Sequence, residues 1–181
     1  MRRFLVGALA AGLCLGAGAG AGAQDAGPRA RELAAYFNKD KHKVKEKRGA
    51  RLEVFMEVRG EPVVRPSAAD YSGTYEAEPD FHLELRVSPD GAAEGRGAEP
   101  GSGGDRRFTL RGARVSGALL TGTKVYEDGR EERIEGVFIN RTERHAPGAA
   151  GTTTFGLGVV YDPPKTGDGF EINRLFYELK R

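Results

Sequence analysis

The chain has 181 residues, of which 28 are Lys or Arg and 26 are Asp or Glu, with three histidines, one cysteine and no tryptophan. A single cysteine excludes a disulfide framework, so the fold must stand on its apolar core. A chain of this length buries enough surface for one self-sufficient domain and hardly enough for two.

Residues 1–23 begin with Arg2 and Arg3, run through Phe4-Leu5-Val6-Gly7-Ala8-Leu9 to Leu15 and end in Ala21-Gly22-Ala23. A positive end, an apolar stretch too short to span a bilayer and an A-x-A-like site describe a signal peptide cleaved before Gln24, which implies a periplasmic or extracellular protein. The arginine pair beside Phe4-Leu5 leaves twin-arginine export open next to the general route. Cys14 does not suit lipoprotein acylation, because Leu13 stands where a small residue is expected. Loss of the leader would remove the cysteine and leave 26 basic side chains against 26 acidic ones. That neutrality is segregated: residues 29–51 carry nine basic and three acidic side chains, and residues 52–181 carry seventeen and twenty-two. A basic arm, residues 24–49, precedes an acidic body.

In the arm, Ala30, Leu33, Ala34, Phe37 and Val44 recur at helical spacing, with Pro28 suited to the first turn and Gly49 to the stop. The pattern predicts one amphipathic basic helix over 28–47, fraying beyond Asn38. A rival strand would put Lys39, Lys41, Lys43, Lys45 and Lys47 on one face, but only Val44 is apolar on the other, so nothing local would hold it in a sheet.

Residues 50–181 read as strands. Leu52, Val54, Met56 and Val58 alternate with Arg51, Glu53, Glu57 and Arg59, and Phe55 on the polar side suggests a cover there, such as the helix. After Pro62 and Pro66, Tyr71–Tyr75 opens a second unit. Phe81, Leu83, Leu85 and Val87 then alternate with polar residues up to the turn Pro89-Asp90-Gly91. Ala92–Gly97 is a weak strand and Ala98–Gly104 a flexible loop by composition. Arg107–Arg111, Arg114–Ser116, Leu119–Tyr126 and Glu131–Asn140 follow, the last two joined by the hairpin signal Asp128-Gly129. Residues 141–151 read as a loop and Thr152–Tyr161 as a strand. Gly156 and Gly158 on one face of that strand predict a bend, a bulge or another segment lying close. Asp162-Pro163-Pro164 ends it, Gly167-Asp168-Gly169 turns, and Phe170–Leu179 closes the sheet. About eight or nine strands in sequential hairpins predict a mainly β fold, a single antiparallel up-and-down barrel, because closure removes unpaired edges; a β-sandwich fits the same alternation.

Gly73-Thr74-Tyr75 near the first barrel strand, with Arg174 in the last, resembles the lipocalin pattern of Gly-x-aromatic packed under a late-strand arginine, with Tyr75 where lipocalins carry Trp. The resemblance covers four residues. It implies a barrel with a small apolar ligand in its mouth.

Catalytic chemistry is not legible. His42, His82 and His145 lack metal-ligand spacing, although Glu84 shares the strand face of His82 and Glu76, Glu78 and Asp80 precede it. The acidic stretches 76–80 and 162–171 lack calcium-loop spacing. Ser67, Ser72, Ser88, Ser102 and Ser116 lie outside any nucleophile elbow. Gly117–Lys124 has the wrong order for a phosphate loop and lies in a predicted hairpin. Asn140-Arg141-Thr142 matches a glycosylation sequon, relevant only in a eukaryote.

These observations point to an exported binding protein that is not an enzyme and needs no cofactor. The first expectation is a small apolar ligand or envelope component held in the barrel. The second is an interaction module in which Lys39, Lys41, Lys43, Lys45, Lys47 and Arg48 engage an anionic membrane or envelope surface, unless the arm docks on its own acidic body. Nucleic acid is not expected for an exported protein. A hydrolase with a spatially assembled site around His82 is the third.

Overall fold

The computed structural model describes residues 25–47, 49–161 and 174–180. The expected leader, Arg48, the acidic loop 162–171 and the turn at Gly167-Asp168-Gly169 lie outside these residues. In chain order the described elements are helix α1 (Gly27–Ala35), strands β1 (Lys39–Lys47) and β2 (Ala50–Pro62), a 3-10 turn (Ala68–Tyr71), and strands β3 (Gly73–Ala77), β4 (Phe81–Val87), β5 (Ala92–Glu99), β6 (Arg106–Ser116), β7 (Leu119–Tyr126), β8 (Glu131–Arg144), β9 (Thr152–Val160) and β10 (Arg174–Lys180).

From β3 to β10 each strand pairs antiparallel with its sequence neighbours, and β10 returns to β3 with Leu179 opposite Tyr75. The result is a closed up-and-down barrel of eight strands, which rules out the sandwich. Strand β8 is long enough to serve two partners along one edge. Its first half pairs with β7 and its second half, Ile139–Arg144, with β2, while β9 holds the other edge. That division lets β2 leave the barrel as half of an appended hairpin with β1.

Alternating inward residues form the main core, which includes Tyr71, Tyr75, Leu83, Leu85, Phe108, Leu120, Phe138, Leu157 and Tyr177. The 3-10 turn closes the end where β3 begins. The Ser67 hydroxyl accepts from Ala69 N, and the Asp70 carboxylate accepts from Ser67 N. Tyr71 stacks on Phe138 at a centroid distance of 4.1 Å, and its hydroxyl donates to Val63 O and accepts from Arg65 N, both at 2.8 Å. Turns 78–80, 100–105 and 127–130 gather at the opposite end.

A second core lies outside the barrel wall. There Ala30, Leu33 and Ala34 of α1, with Phe37 just beyond it, cover Val137 and Ile139 of β8. These are four of the five arm positions that the helical period singled out; the fifth, Val44, lies on β1 and is exposed. Arg29 fastens the helix to the barrel by pairing with Glu135, its Nε 2.7 Å from Oε1. The hydrogen bond from Arg29 holds the Glu135 carboxyl below the usual range.

The structure corrects several expectations. The helix ends at Ala35, and the lysine segment is strand β1, with Gly49 (φ 79°) in the β1–β2 turn instead of at a helix stop. What holds β1 is non-local: nine successive residues pair with Val58–Ala50 of β2. Phe55 is covered by His42, in edge-on contact at 6.1 Å, not by the helix. Strand β5 continues to Glu99, β6 is one strand with an irregularity between Arg111 and Arg114, and β8 runs on to Arg144 through the sequon. Gly129 (φ 81°) makes the expected turn within the loop 127–130.

Candidate functional site: a lysine ribbon and a buried ion pair

Residues directly opposite each other in an antiparallel pair project from the same face. Lys39 is opposite Val58, Lys41 opposite Met56, Lys43 opposite Val54, Lys45 opposite Leu52 and Lys47 opposite Ala50. One face of the β1–β2 ribbon therefore carries a row of five lysines beside an aliphatic row. All nine β1 residues are exposed. Among the described residues none of the five lysines forms an ion pair, whereas the other face is cross-linked: His42 Nε2 lies 2.6 Å from Glu53 Oε1 and Arg59 Nη1 lies 2.7 Å from Asp40 Oδ1. The expected anionic-surface residues are thus brought onto one face, on a strand and not on a helix; Arg48 lies outside the described residues. The arm divides, its helix docked on the body and its lysines left in solvent.

The lipocalin-like residues are not brought together. Tyr75 is buried, and its hydroxyl donates to Tyr71 O at 2.6 Å. Arg174 is exposed and opposite Val160, at the far end of β10 from the β3 pairing. Leu179 occupies the space over Gly73, where a β-carbon would meet Leu179 Cδ1 at 2.5 Å.

His82 lies between Glu76 (3.9 Å) and Glu84 (3.7 Å) at the edge of an open groove of about 920 Å³ on the barrel exterior, with Glu78, Asp80, Glu143 and Glu178 around it. Threonines and no serine line this groove, and among the described residues no three His, Cys, Asp or Glu side chains are placed to hold a metal ion.

A second constellation was not expected from the sequence. Inside the barrel, toward the end opposite the 3-10 turn, Lys124 is fully buried, with Nζ 3.0 Å from Glu99 Oε2 and donating to the Tyr161 hydroxyl at 3.1 Å. The ammonium also lies over the rings of Phe108 (4.7 Å) and Tyr161 (4.8 Å). Glu99 is 4% exposed and accepts from Tyr126 (2.7 Å) and Arg106 (2.8 Å). Burial pushes the Glu99 carboxyl up, but the charge of Lys124 and the hydrogen bonds from Tyr126 and Lys124 outweigh it and hold the group below the usual range. Burial pushes the hydroxyls of Tyr126, Tyr161 and Tyr177 well up, so all three remain protonated donors. The Tyr177 hydroxyl is buried beside that of Tyr161. One signal was available: Leu120, Lys124 and Tyr126 share the parity of the inward face of β7, so the lysine interrupts an apolar row.

Comparison with protein-family models, curated proteins and solved structures finds no match for the chain. Among the described residues no helix is long and apolar enough to cross a membrane.

Proposed function

We propose that this protein is an exported binding module, not an enzyme, and that it engages an anionic surface through the lysine face of the β1–β2 ribbon. The supporting observation is the asymmetry of the ribbon, five lysines that form no ion pair among the described residues on one face against a cross-linked mixed face behind. Lysines on an edge strand also discourage pairing with other sheets, but that role does not call for all five side chains to project from one face. The helix and Arg29 anchor the ribbon's base to the barrel, so the ribbon is a presented element and not a loose tail. The test is retention of the protein on a sulfated polysaccharide column. Elution should require raised salt, and Lys41→Glu with Lys43→Glu should move it to low salt, since each reversal removes an attraction and adds a repulsion. Unchanged elution would refute the proposal.

A second reading, a small ligand inside the barrel, is favoured by the hydroxyl of Tyr177 and the ammonium of Lys124, two buried donor groups set near each other among core side chains. A ligand oxygen would accept from both groups while an apolar body lay among the core side chains. Native mass spectrometry tests it: a bound molecule retained by the wild type and lost in Tyr177→Phe supports the reading, and a bare chain from its own producing cell counts against it.

A further inference from the structure

Resting on the ribbon reading above, we infer that the anionic surface is a lipid bilayer, and that Leu52, Val54 and Met56 enter its interfacial layer while the lysine row lies among the headgroup phosphates.

Charge alone does not separate a bilayer from a soluble polyanion, but the aliphatic row does. Its exposure increases away from the barrel: Val58 at the base is 2% exposed, Met56 and Val54 are half-buried, and Leu52 near the tip is 59% exposed. A leucine so exposed is unfavourable in water and gains nothing from a sulfated or phosphorylated chain, which meets only the lysines. A bilayer interface satisfies both rows together. The aliphatic groups leave water, and the long lysine stems lie along them with their ammonium groups reaching the phosphates. The layout also sets an orientation. The opposite face carries Asp40, Glu46, Glu53 and Glu57 against Arg51 and Arg59, so its charge is balanced toward the acidic side and offers an anionic bilayer no net attraction. Nine strand residues extend about 30 Å, enough for several headgroups along one edge.

The absence of tryptophan from the chain supplies a direct test. Leu52→Trp places a single indole on the lysine face, and Val44→Trp places one on the opposite face, where Val44 is 46% exposed. Each full-length variant is titrated with vesicles of phosphatidylglycerol and phosphatidylcholine in roughly equal parts, and with phosphatidylcholine alone. The expected result is a blue-shifted emission and loss of acrylamide quenching at position 52 with the anionic vesicles only, and no change at position 44. Comparing two faces of one ribbon makes the readout independent of any other segment's affinity for lipid. Leu52→Ser with Val54→Ser, without tryptophan, should weaken co-sedimentation with the same vesicles by about tenfold while leaving retention on the sulfated column unchanged. Circular dichroism checks that each variant keeps the barrel.

Vesicle binding that the Lys41→Glu/Lys43→Glu pair abolishes but Leu52→Ser/Val54→Ser leaves intact, with no shift at position 52, would overturn the bilayer inference and leave the anionic-surface reading standing. Equal shifts at 44 and 52 would also overturn it, because entry would not depend on the face. A shift at 52 that rises with protein concentration without lipid would assign the face to a second copy of the chain, whose acidic groove around Glu76, Asp80 and Glu178 complements the lysines. Loss of column retention in the wild type would refute both readings together.

Discussion

The ring of Phe37 fills the space that a side chain at Gly158 would take: a β-carbon there would come within 2.5 Å of Phe37 Cε2. This contact carries the chain from the docked helix onto the barrel wall and sets where the β1–β2 ribbon begins. Asn38, the next residue, accepts a hydrogen bond from Gly60 N at 2.9 Å through its side chain. The same wall is bare at Gly60, where a β-carbon would lie 3.0 Å from Ala34 O.

Gly158→Val should therefore destabilise the protein by about 1–3 kcal/mol through overpacking against the ring. In a Phe37→Ala background the same substitution should cost much less. A double-mutant cycle by urea unfolding measures the coupling, and additive losses would show that the ring and the glycine are independent.

Lys124→Met should cost about 1–3 kcal/mol, because it takes the ammonium from the buried Glu99 carboxylate and leaves the partly exposed Arg106 as its remaining cationic partner. Adding Glu99→Gln should recover part of that loss, since the buried charge, then held by Arg106 alone, is gone. Equilibrium unfolding of the two singles and the double measures it. A double variant no more stable than Lys124→Met would contradict the assignment of the cost to an under-compensated charge.

Glu99 also gives a pH signature. Its carboxyl in the folded protein lies below the ordinary value of 4.5, so the unfolded chain takes up the proton first as pH falls. Its stabilising contribution is fully present above about 4.5 and is lost as pH drops through the lower folded value. Urea midpoints of the wild type should fall across that acid window, and the Glu99→Gln variant, weaker throughout, should show a flatter acid limb.

Tyr71→Phe removes a donor to Val63 O and an acceptor from Arg65 N at the closed end of the barrel. A loss of about 1–3 kcal/mol is expected, with faster amide exchange localised at Arg65. Wild-type exchange at that amide would mean another acceptor, such as water, takes over.

The charge reversals on the ribbon should behave differently. Lys41→Glu with Lys43→Glu touches only exposed side chains that have no ion pair among the described residues, so stability should stay within about 0.5 kcal/mol of the wild type. A binding defect in that variant is then not a folding defect.

The sequence by itself determined whatever short-range periodicity encodes. The two-residue period of Leu83–Leu85–Val87 and Phe155–Leu157–Val159 marks the inward rows, the helical spacing of Ala30, Leu33, Ala34 and Phe37 marks the docked side of α1 and the residue just beyond it, and the Gly156–Gly158 pair marks an irregular place in β9, which the structure resolves as the close approach of other segments and not a bulge. Only the tertiary structure decided what depends on a partner distant along the chain or across a strand. Lys39–Lys47 contains almost nothing apolar of its own and reads as the tail of a helix, yet it is a strand because β2 supplies both its hydrogen bonds and the aliphatic row beside its lysines. Lys124 resembles any polar strand residue until barrel closure places Glu99 and Tyr161 around its ammonium. Arg174 and Tyr75 share a pattern in sequence but are separated by the β10–β3 register, in which Leu179, five residues further on, meets Tyr75. Period is a property of a few neighbouring residues, whereas register and closure are set by hydrogen bonds between segments tens of residues apart.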